Sequence, residues 1–241
     1  MTHLLLLAAL IAPTAAPDST RLESRADSIV LRETAAQASF GFSLALGGDY
    51  AFLGEPRGPN GIVHVYRRSA AGWRASAMLK APDPSVNDGF GNSVATDGTT
   101  LLVGRATAPT SPDGGRGSVH AFKRSTTGTW ESAGLWTAET PLPRSNFGAA
   151  MLVKGDVAFV GAPAYENGAV FVYKRGTDGT WSTAGRLGVE GLADGDAFGS
   201  AIAMDGDRLA VGAPGRAAAK GAVFVFTRDA SGNFVQSGML V

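Results

Sequence analysis

Residues 198–214 read FGSAIAMDGDRLAVGAP. Two short apolar runs, 201–204 and 209–211, flank a polar turn at 205–207. Asp-Gly between apolar runs predicts a β-hairpin, because glycine accepts the positive φ angle that a tight hairpin turn requires. The stretch therefore predicts two antiparallel strands that begin after Phe-Gly and end at Gly-Ala-Pro.

The same pattern occurs four times, at intervals of 50, 57 and 51 residues. Each copy has a Phe-Gly pair, a second glycine fourteen residues after the phenylalanine, a third glycine that opens an apolar run, and a later aromatic residue. In chain order these positions are Phe40, Gly54, Gly61 and Trp73; Phe90, Gly104, Gly117 and Trp130; Phe147, Gly161, Gly168 and Trp181; Phe198, Gly212, Gly221 and Phe234. Such self-similarity predicts a repeat architecture.

Each copy predicts four short strands, because the hairpin is followed by a Val/Phe/Tyr-rich run and by a further run that begins at the aromatic residue. Four strands in about 50 residues, repeated, are typical of β-propeller blades. We therefore predict an all-β fold, a β-propeller with four-stranded antiparallel blades at about 40–81, 90–138, 147–189 and 198–241. The repeated phenylalanines are expected between blades, where full burial contributes about 1.5–3 kcal/mol each.

The N-terminus predicts an export signal at residues 1–16. Residues 4–12 are an unbroken apolar run, and small residues suitable for cleavage follow it. Nine residues are too few to span a bilayer as a helix, so we expect a secreted protein, periplasmic or extracellular, with no membrane span once the signal is removed. An uncleaved anchor and a buried N-terminal segment are the alternatives.

After a linker at 17–27, the segment Ser-Ile-Val-Leu-Arg at 28–32 matches the position of 77–80, the outer strand of the first blade. It predicts the outer strand of a blade whose other strands are missing. An unpaired edge strand invites association, so the chain is either the N-terminal part of a longer propeller that lacks its C-terminal blades, or it self-associates. Alternatively, the segment packs on the outside of the blades.

The motif Gly-Ala-Pro at 161–163 and 212–214, together with the Phe-Gly pairs, resembles the FG-GAP repeat of the integrin alpha propeller and of exported bacterial proteins. The resemblance covers about residues 40–241. The first two copies depart from it, with Gly-Glu-Pro at 54–56 and Gly-Arg-Ala at 104–106. The resemblance implies a propeller, commonly of seven blades, that serves in adhesion and protein recognition.

Integrin-type repeats often carry a calcium loop, Asp-x-Asp-x-Asp-Gly, between the first and second strands. The corresponding turns of this chain lie at 47–49, 97–98, 155–156 and 205–207, and the richest of them offers two carboxylates. Calcium takes six to eight oxygen ligands. We therefore expect no metal in these turns, and the sequence indicates no other cofactor.

The residue content argues against an enzyme. The chain has no cysteine and no Gly-x-Ser-x-Gly nucleophile motif. His64 and His120 stand in the third strand, where the other copies have Phe171 and Phe224, so packed rings are expected there rather than a base or a metal ligand. A propeller-based lyase or hydrolase remains the alternative. Acidic and basic residues balance at 21 each, which disfavours a nucleic-acid partner.

Loops between the second and third strands share one end of a propeller with the connections between blades. Their mixed charges predict a recognition surface for a protein or glycan, because function tends to lie on loops held by a rigid frame. The candidate ligand-binding residues are Glu55, Arg57, Arg105, Asp113, Arg116, Tyr165 and Glu166. The alternatives are a merely solvated loop surface and a purely structural module of a larger cell-surface protein.

Overall fold

The computed structural model of the chain describes residues 23–25, 28–30, 39–57, 61–81, 89–105 and 114–241. Within these ranges the chain forms eighteen strands and one helix of four residues. None of the helical structure in the described part is long and apolar enough to cross a membrane. The predicted all-β fold is confirmed.

The two N-terminal strands, β1 (Glu23–Arg25) and β2 (Ser28–Val30), pair with each other in an antiparallel hairpin. β2 lies within the segment predicted as a single outer strand, and β1 lies within the predicted linker. The hairpin runs beside Gly72–Leu79, the outer strand of the first large sheet. The predicted signal peptide, 1–16, lies outside the described residues.

The remaining strands form four antiparallel sheets of four, which we call blades 1 to 4. Blade 1 contains β3 (Ser43–Gly47), β4 (Tyr50–Glu55), β5 (Ile62–Ser69) and β6 (Gly72–Leu79). Blade 2 contains β7 (Phe90–Thr96), β8 (Thr100–Arg105), β9 (Ser118–Arg124) and β10 (Trp130–Trp136). Blade 3 contains β11 (Ala150–Lys154), β12 (Val157–Ala162), β13 (Ala169–Arg175) and β14 (Trp181–Arg186). Blade 4 contains β15 (Ala201–Asp205), β16 (Arg208–Ala213), β17 (Ala222–Arg228) and β18 (Phe234–Leu240), with the short helix α1 (Arg216–Ala219) between β16 and β17.

In every blade the strands pair in chain order, as the repeat predicts. The first strands of successive blades lie next to one another, an arrangement consistent with blades set around an axis. Each blade has two faces. We call the one turned toward the next blade its forward face and the one turned toward the preceding blade its rear face.

The apolar core lies between the blades, in three clusters that each join a forward face to a rear face. Between blades 1 and 2, for example, Phe52 and Val65 pack with Leu101 and Val103. The alternation of side chains along each strand supplies both faces, because successive residues of a strand point to opposite sides of the sheet. Burial between blades, rather than within any one sheet, therefore holds the structure together.

The phenylalanine of each Phe-Gly pair packs edge-on against a ring of the third strand of its own blade. The centroid distances are 5.2 Å for Phe40–His64, 5.3 Å for Phe90–His120, 5.2 Å for Phe147–Phe171 and 5.3 Å for Phe198–Phe224. Edge-to-face geometry is favourable for aromatic rings. Both histidines are buried and occupy the place of the phenylalanines, as the sequence predicts.

The repeated glycines let the backbones of two blades approach closely. A methyl group on Gly54 or Gly161 would overlap the carbonyl oxygen of the Phe-Gly glycine of the next blade, Gly91 or Gly199. The hydroxyl of Ser43 donates to that same Gly91 oxygen at 2.7 Å. Glycine is required at such close approaches because any side chain would push the blades apart.

Candidate ligand-binding site

The loops between second and third strands and the connections between blades meet at one end of the sheets, which we call the loop face. Backbone hydrogen bonds join them: Arg144 N–H donates to the Gly114 oxygen at 2.9 Å, and Gly215 N–H donates to the Asp196 oxygen at 3.1 Å. Where both kinds of loop are described, they therefore lie at the same end of the sheets, as the sequence predicts.

A pocket of about 540 Å³ opens on the loop face between blades 3 and 4. The loop between β12 and β13 forms one side, and the connection that leaves β14 forms the other. Its lining consists of Glu166, Asn167, Gly168, Ala169, Arg186, Leu187, Gly188, Val189, Gly191, Leu192 and Phe198. The volume is in the range of ordinary ligand pockets.

Opposite charges stand at the rim of this pocket. Arg186 Nη1 donates to Glu166 Oε2 at 3.1 Å, and both side chains are about half exposed. The Arg186 guanidinium also lies over the ring of Tyr165, 5.4 Å from its centroid. An exposed ion pair contributes little to stability, so both groups are available to exchange their mutual contact for a contact with a ligand.

The far wall of the pocket is held by side-chain hydrogen bonds. Asn167 Nδ2 donates to the Leu192 oxygen at 3.1 Å. Arg216 Nη1 donates to the Gly191 oxygen at 2.8 Å and to Asp196 Oδ2 at 2.7 Å. These bonds hold the connection after β14 in place and define the shape of the pocket.

Asp196 holds the connection after β14 in place through hydrogen bonds. The Ala193 N–H donates to Asp196 Oδ2 at 2.9 Å. This bond, and after it the bond and charge of Arg216, lower the pKa of the Asp196 carboxyl from its ordinary value. The carboxylate is thus ionised at neutral pH and keeps both partners.

The structure places the predicted site residues at different points. Glu166 lines the pocket, and Tyr165 is buried beneath Arg186. Glu55 is also buried, and its Oε2 lies 2.7 Å from His64 Nε2 on the rear face of blade 1. Its position follows from strand alternation, which puts Glu55 and His64 on the same side of the sheet.

The other predicted residues lie away from the pocket. Arg57 is exposed and lies over the Phe42 ring at 5.7 Å. Arg116 is exposed and donates through Nε to the Pro141 oxygen at 3.2 Å. Arg105 is half-buried at the end of β8, and Asp113 lies outside the described residues.

Sequence reasoning missed Arg186 and Asn167. Arg186 ends the outer strand β14, and the end of an outer strand reaches the loop face just as the second-third loops do. The position of Arg186 at the end of an outer strand could therefore have identified it from the sequence. Asn167 carries no such signal, because its role depends on the path of the connection at 187–198.

The pocket offers charged and polar groups for hydrogen bonding. It presents one carboxylate, one guanidinium and one amide beside the apolar side chains of Leu187, Val189 and Leu192. Across the part of the chain that the structure describes, histidine and acidic side chains form no group of three or more that could hold a metal ion.

Comparison with known proteins places the chain in a family. The family model of the FG-GAP repeat matches residues 73–122 and 181–226. Each match runs from the outer strand of one blade through the third strand of the next, so it spans the boundary between blades that the repeated glycines form. This chain is an FG-GAP repeat protein. The resemblance seen in the sequence is confirmed, and the integrin-like, exported subtype stays a prediction.

Solved structures share the fold of this FG-GAP protein. A protein from Lactobacillus plantarum is similar at a TM-score of 0.56 with 16% identity over 83% of this chain and 55% of that one. A functionally unknown protein from Desulfotomaculum acetoxidans is similar at 0.55 with 14% identity over 88% of this chain and 59% of that one. The FG-GAP chain thus spans somewhat more than half the length of these two. No curated protein matches it.

Proposed function

We propose that this FG-GAP repeat protein is a non-catalytic binding module that recognises a segment of another protein through the pocket between blades 3 and 4. The observation that carries the proposal is the pocket itself, with Glu166 and Arg186 at its rim. A glycan is the second ligand class, and a purely structural role is the alternative to both.

The character of the lining favours a protein segment. A peptide presents amide groups, charged side chains and apolar side chains together, and the pocket offers partners for all three. The aromatic rings at the pocket, Phe198 and Tyr165, are buried and leave the open surface to Glu166, Asn167 and Arg186. Binding groups on loops held by a rigid sheet are a common arrangement in recognition domains.

The proposal is tested by probing the purified chain against a peptide array and a glycan array in parallel. Two variants, Glu166→Gln and Arg186→Gln, remove the rim charges; the first keeps the side-chain size, and the second shortens the side chain as the control below also does. The matched control is Arg208→Gln, an exposed arginine at the start of β16 and outside the pocket lining.

We expect signals on the peptide array, and we expect each rim variant to weaken them about tenfold or more. Tenfold corresponds to the loss of about 1.4 kcal/mol that one charge-assisted hydrogen bond supplies. The control variant should keep the full signal. Signals on the glycan array alone would show that the ligand is a glycan. Signals that survive both rim substitutions, or no signal on either array, would refute binding at this pocket and favour a structural module.

Export is a separate part of the proposal and rests on residues 1–16, with their apolar run and small-residue stretch. We infer that the mature protein lies outside the cytoplasm, in the periplasm or beyond the cell. Expression of the full chain in a bacterial host, followed by mass spectrometry of each fraction, tests it: a shortened chain in the exported fraction is expected, and a full-length chain retained in the cytoplasm would contradict it.

A further inference from the structure

A second pocket, of about 470 Å³, lies on blade 1 at the end opposite the loop face. It is formed by the end of β5 and the first half of β6, and its lining consists of Arg67, Arg68, Ser69, Arg74, Ala75 and Ser76. Half of these residues are arginines, and two of the others carry hydroxyls. Acidic and basic residues balance over the whole chain, so this concentration of positive charge is local.

Two of the arginines stand directly opposite each other. Arg67 on β5 and Arg74 on β6 are register partners in the antiparallel pair, and both are exposed. Like charges at directly opposite positions destabilise a sheet, because the two side chains leave the same face about 5 Å apart. Within the described residues neither of them takes part in an ion pair. The arginine pair is therefore a cost to the free protein that a bound anion would offset.

The other blades do not repeat this arrangement. The register partners at the same place are Lys123 and Glu131 in blade 2, Lys174 and Ser182 in blade 3, and Thr227 and Val235 in blade 4. Opposite charges, a cation beside a hydroxyl, and two neutral side chains thus replace the arginine pair. The ammonium group in blade 3 is also bonded, since Lys174 Nζ donates to Asn233 Oδ1 at 3.3 Å.

A third arginine reaches the same place from blade 2. The guanidinium carbon of Arg67 lies 5.7 Å from the centroid of the Tyr50 ring, and that of Arg124 lies 5.5 Å from it. The ring is buried, and its hydroxyl donates to the Gly128 oxygen at 3.2 Å. Contact with an aromatic ring favours a guanidinium group and leaves the N–H groups at its edge able to bind an anion. Tyr50 therefore holds two guanidinium groups at the boundary of blades 1 and 2.

Arg124 also differs from the arginines at the same position of blades 3 and 4, which pair with an acidic residue in the first turn of the preceding blade. These pairs are Arg175 Nη2 with Asp97 Oδ2 at 3.9 Å and Arg228 Nη2 with Asp156 Oδ2 at 3.3 Å. The corresponding residue of blade 1 is Asp49, yet Arg124 forms no ion pair with it or with any other described residue. The positive charge is therefore left uncompensated at this boundary and neutralised at the two that follow.

Both sides of the cluster belong to described blades. Arg67 and Arg74 lie on the forward face of blade 1, on the same side as Tyr50, and Arg124 comes from the facing side of blade 2. The cluster thus does not depend on what borders the first blade or the last.

We propose that this pocket binds an oxyanionic group, a phosphate or a sulfate, between Arg67 and Arg74, with Arg124 adding to the positive field. The planar guanidinium fork matches such groups and can donate two parallel hydrogen bonds to them. The hydroxyl of Ser76 supplies a further donor. The volume lies in the range of pockets for small organic ligands, which favours an ester of a small polar molecule over a free ion. The site lies at the other end of the blades from the loop-face pocket and does not rest on the function proposed for that pocket.

The test is calorimetric titration of the purified chain, in a buffer without phosphate, with glucose 6-phosphate, glucose 6-sulfate, inorganic phosphate and inorganic sulfate, and with glucose as the neutral control. We expect the charged probes to bind, glucose not to bind, and the affinity to fall as salt is added, because exposed charges are screened. Tighter binding of the sugar esters than of the inorganic ions would identify an ester as the ligand, and equal binding would identify the free ion. No binding of any charged probe would overturn the proposal, even if the chain bound vesicles of phosphatidylglycerol.

Substitutions locate the binding. Arg67→Gln and Arg74→Gln should each weaken binding of the charged probes about tenfold or more, because each removes a charged donor. Arg208→Gln is the matched control, since Arg208 is an exposed arginine of blade 4 and lies outside this pocket. Unchanged affinity in both pocket variants, with both folded by circular dichroism, would contradict the assigned site.

A further variant separates binding from folding. Arg74→Glu gives Arg67 the opposite charge that Lys123 has in Glu131, so we expect a higher melting temperature without an anion, together with loss of binding. Arg208→Glu makes the same change of charge away from the cluster and should keep the binding. A melting temperature of Arg74→Glu that does not rise would show that the arginine pair costs the free protein nothing, and it would overturn the proposal.

Discussion

The buried pair of Glu55 and His64 makes a sharp prediction about stability. Their side chains are 7% and 11% exposed, and Glu55 Oε2 lies 2.7 Å from His64 Nε2. At the same positions blade 3 has Ala162 and Phe171, and blade 4 has Ala213 and Phe224. Replacing His64 with phenylalanine therefore gives the ring that the repeat prefers, but it leaves the carboxylate of Glu55 buried without its partner.

The two effects differ in size. Leaving a buried carboxylate without its partner costs about 3–5 kcal/mol, whereas the added apolar contact of phenylalanine with Phe40 contributes about 1 kcal/mol. The cost of the unpaired carboxylate exceeds the gain from the apolar contact, so His64→Phe should destabilise the protein. For a domain of this size the net loss corresponds to a melting temperature lower by about 4–16 °C.

The assay is thermal and urea unfolding of a four-member cycle: wild type, Glu55→Ala, His64→Phe and the double variant. The double variant rebuilds the Ala/Phe pair of blades 3 and 4 and should recover most of the stability that His64→Phe loses. A His64→Phe protein as stable as wild type, or a double variant no better than His64→Phe alone, would show that the buried Glu55 carboxylate does not depend on His64.

Three further predictions concern the blade interfaces and the loop face. Gly161→Ala should cost about 1–3 kcal/mol in urea unfolding, because its methyl group would overlap the Gly199 oxygen; full stability would contradict that close approach. Asp196→Asn should lower the melting temperature at neutral pH and should differ less from wild type as the pH falls below 3.8. The pKa of the Asp196 carboxyl is lowered in the folded protein, so its contribution to stability is present above the ordinary pKa and is lost as the pH falls through the folded-state pKa. A difference in melting temperature that is constant with pH would argue against the ion pair. Ala218→Gly should stabilise by about 1 kcal/mol in the same urea assay, because Ala218 has a left-handed φ of 56° that costs residues with a side chain; a destabilised variant would show that the turn is not strained.

Most of the fold was predictable because it repeats. The spacing of Phe-Gly and of the later glycines sets four similar units, and alternation within each strand assigns its residues to a forward or a rear face. His64 and His120 could be placed in the packed position of Phe171 and Phe224 from alignment of the copies alone.

The candidate site was less predictable because it lies where the copies differ. The pocket depends on the path of the connection at 187–198, and Arg186 reaches it only because β14 ends at the loop face. Glu55 was expected on the loop surface from its position after a strand. The pairing of β4 with β5 instead places Glu55 on the same side of the sheet as His64. The side of the sheet could have been worked out from the predicted register.

The recurring glycines let the Phe-Gly backbone of one blade touch the blade before it. An experimental structure of the chain measures this directly. It should show the carbonyl oxygens of Gly91, Gly148 and Gly199 so close to Gly54, Gly104 and Gly161 that no side chain fits between them. Space for a methyl group at all three glycines, or sheets stacked in another order, would contradict this role of the glycines.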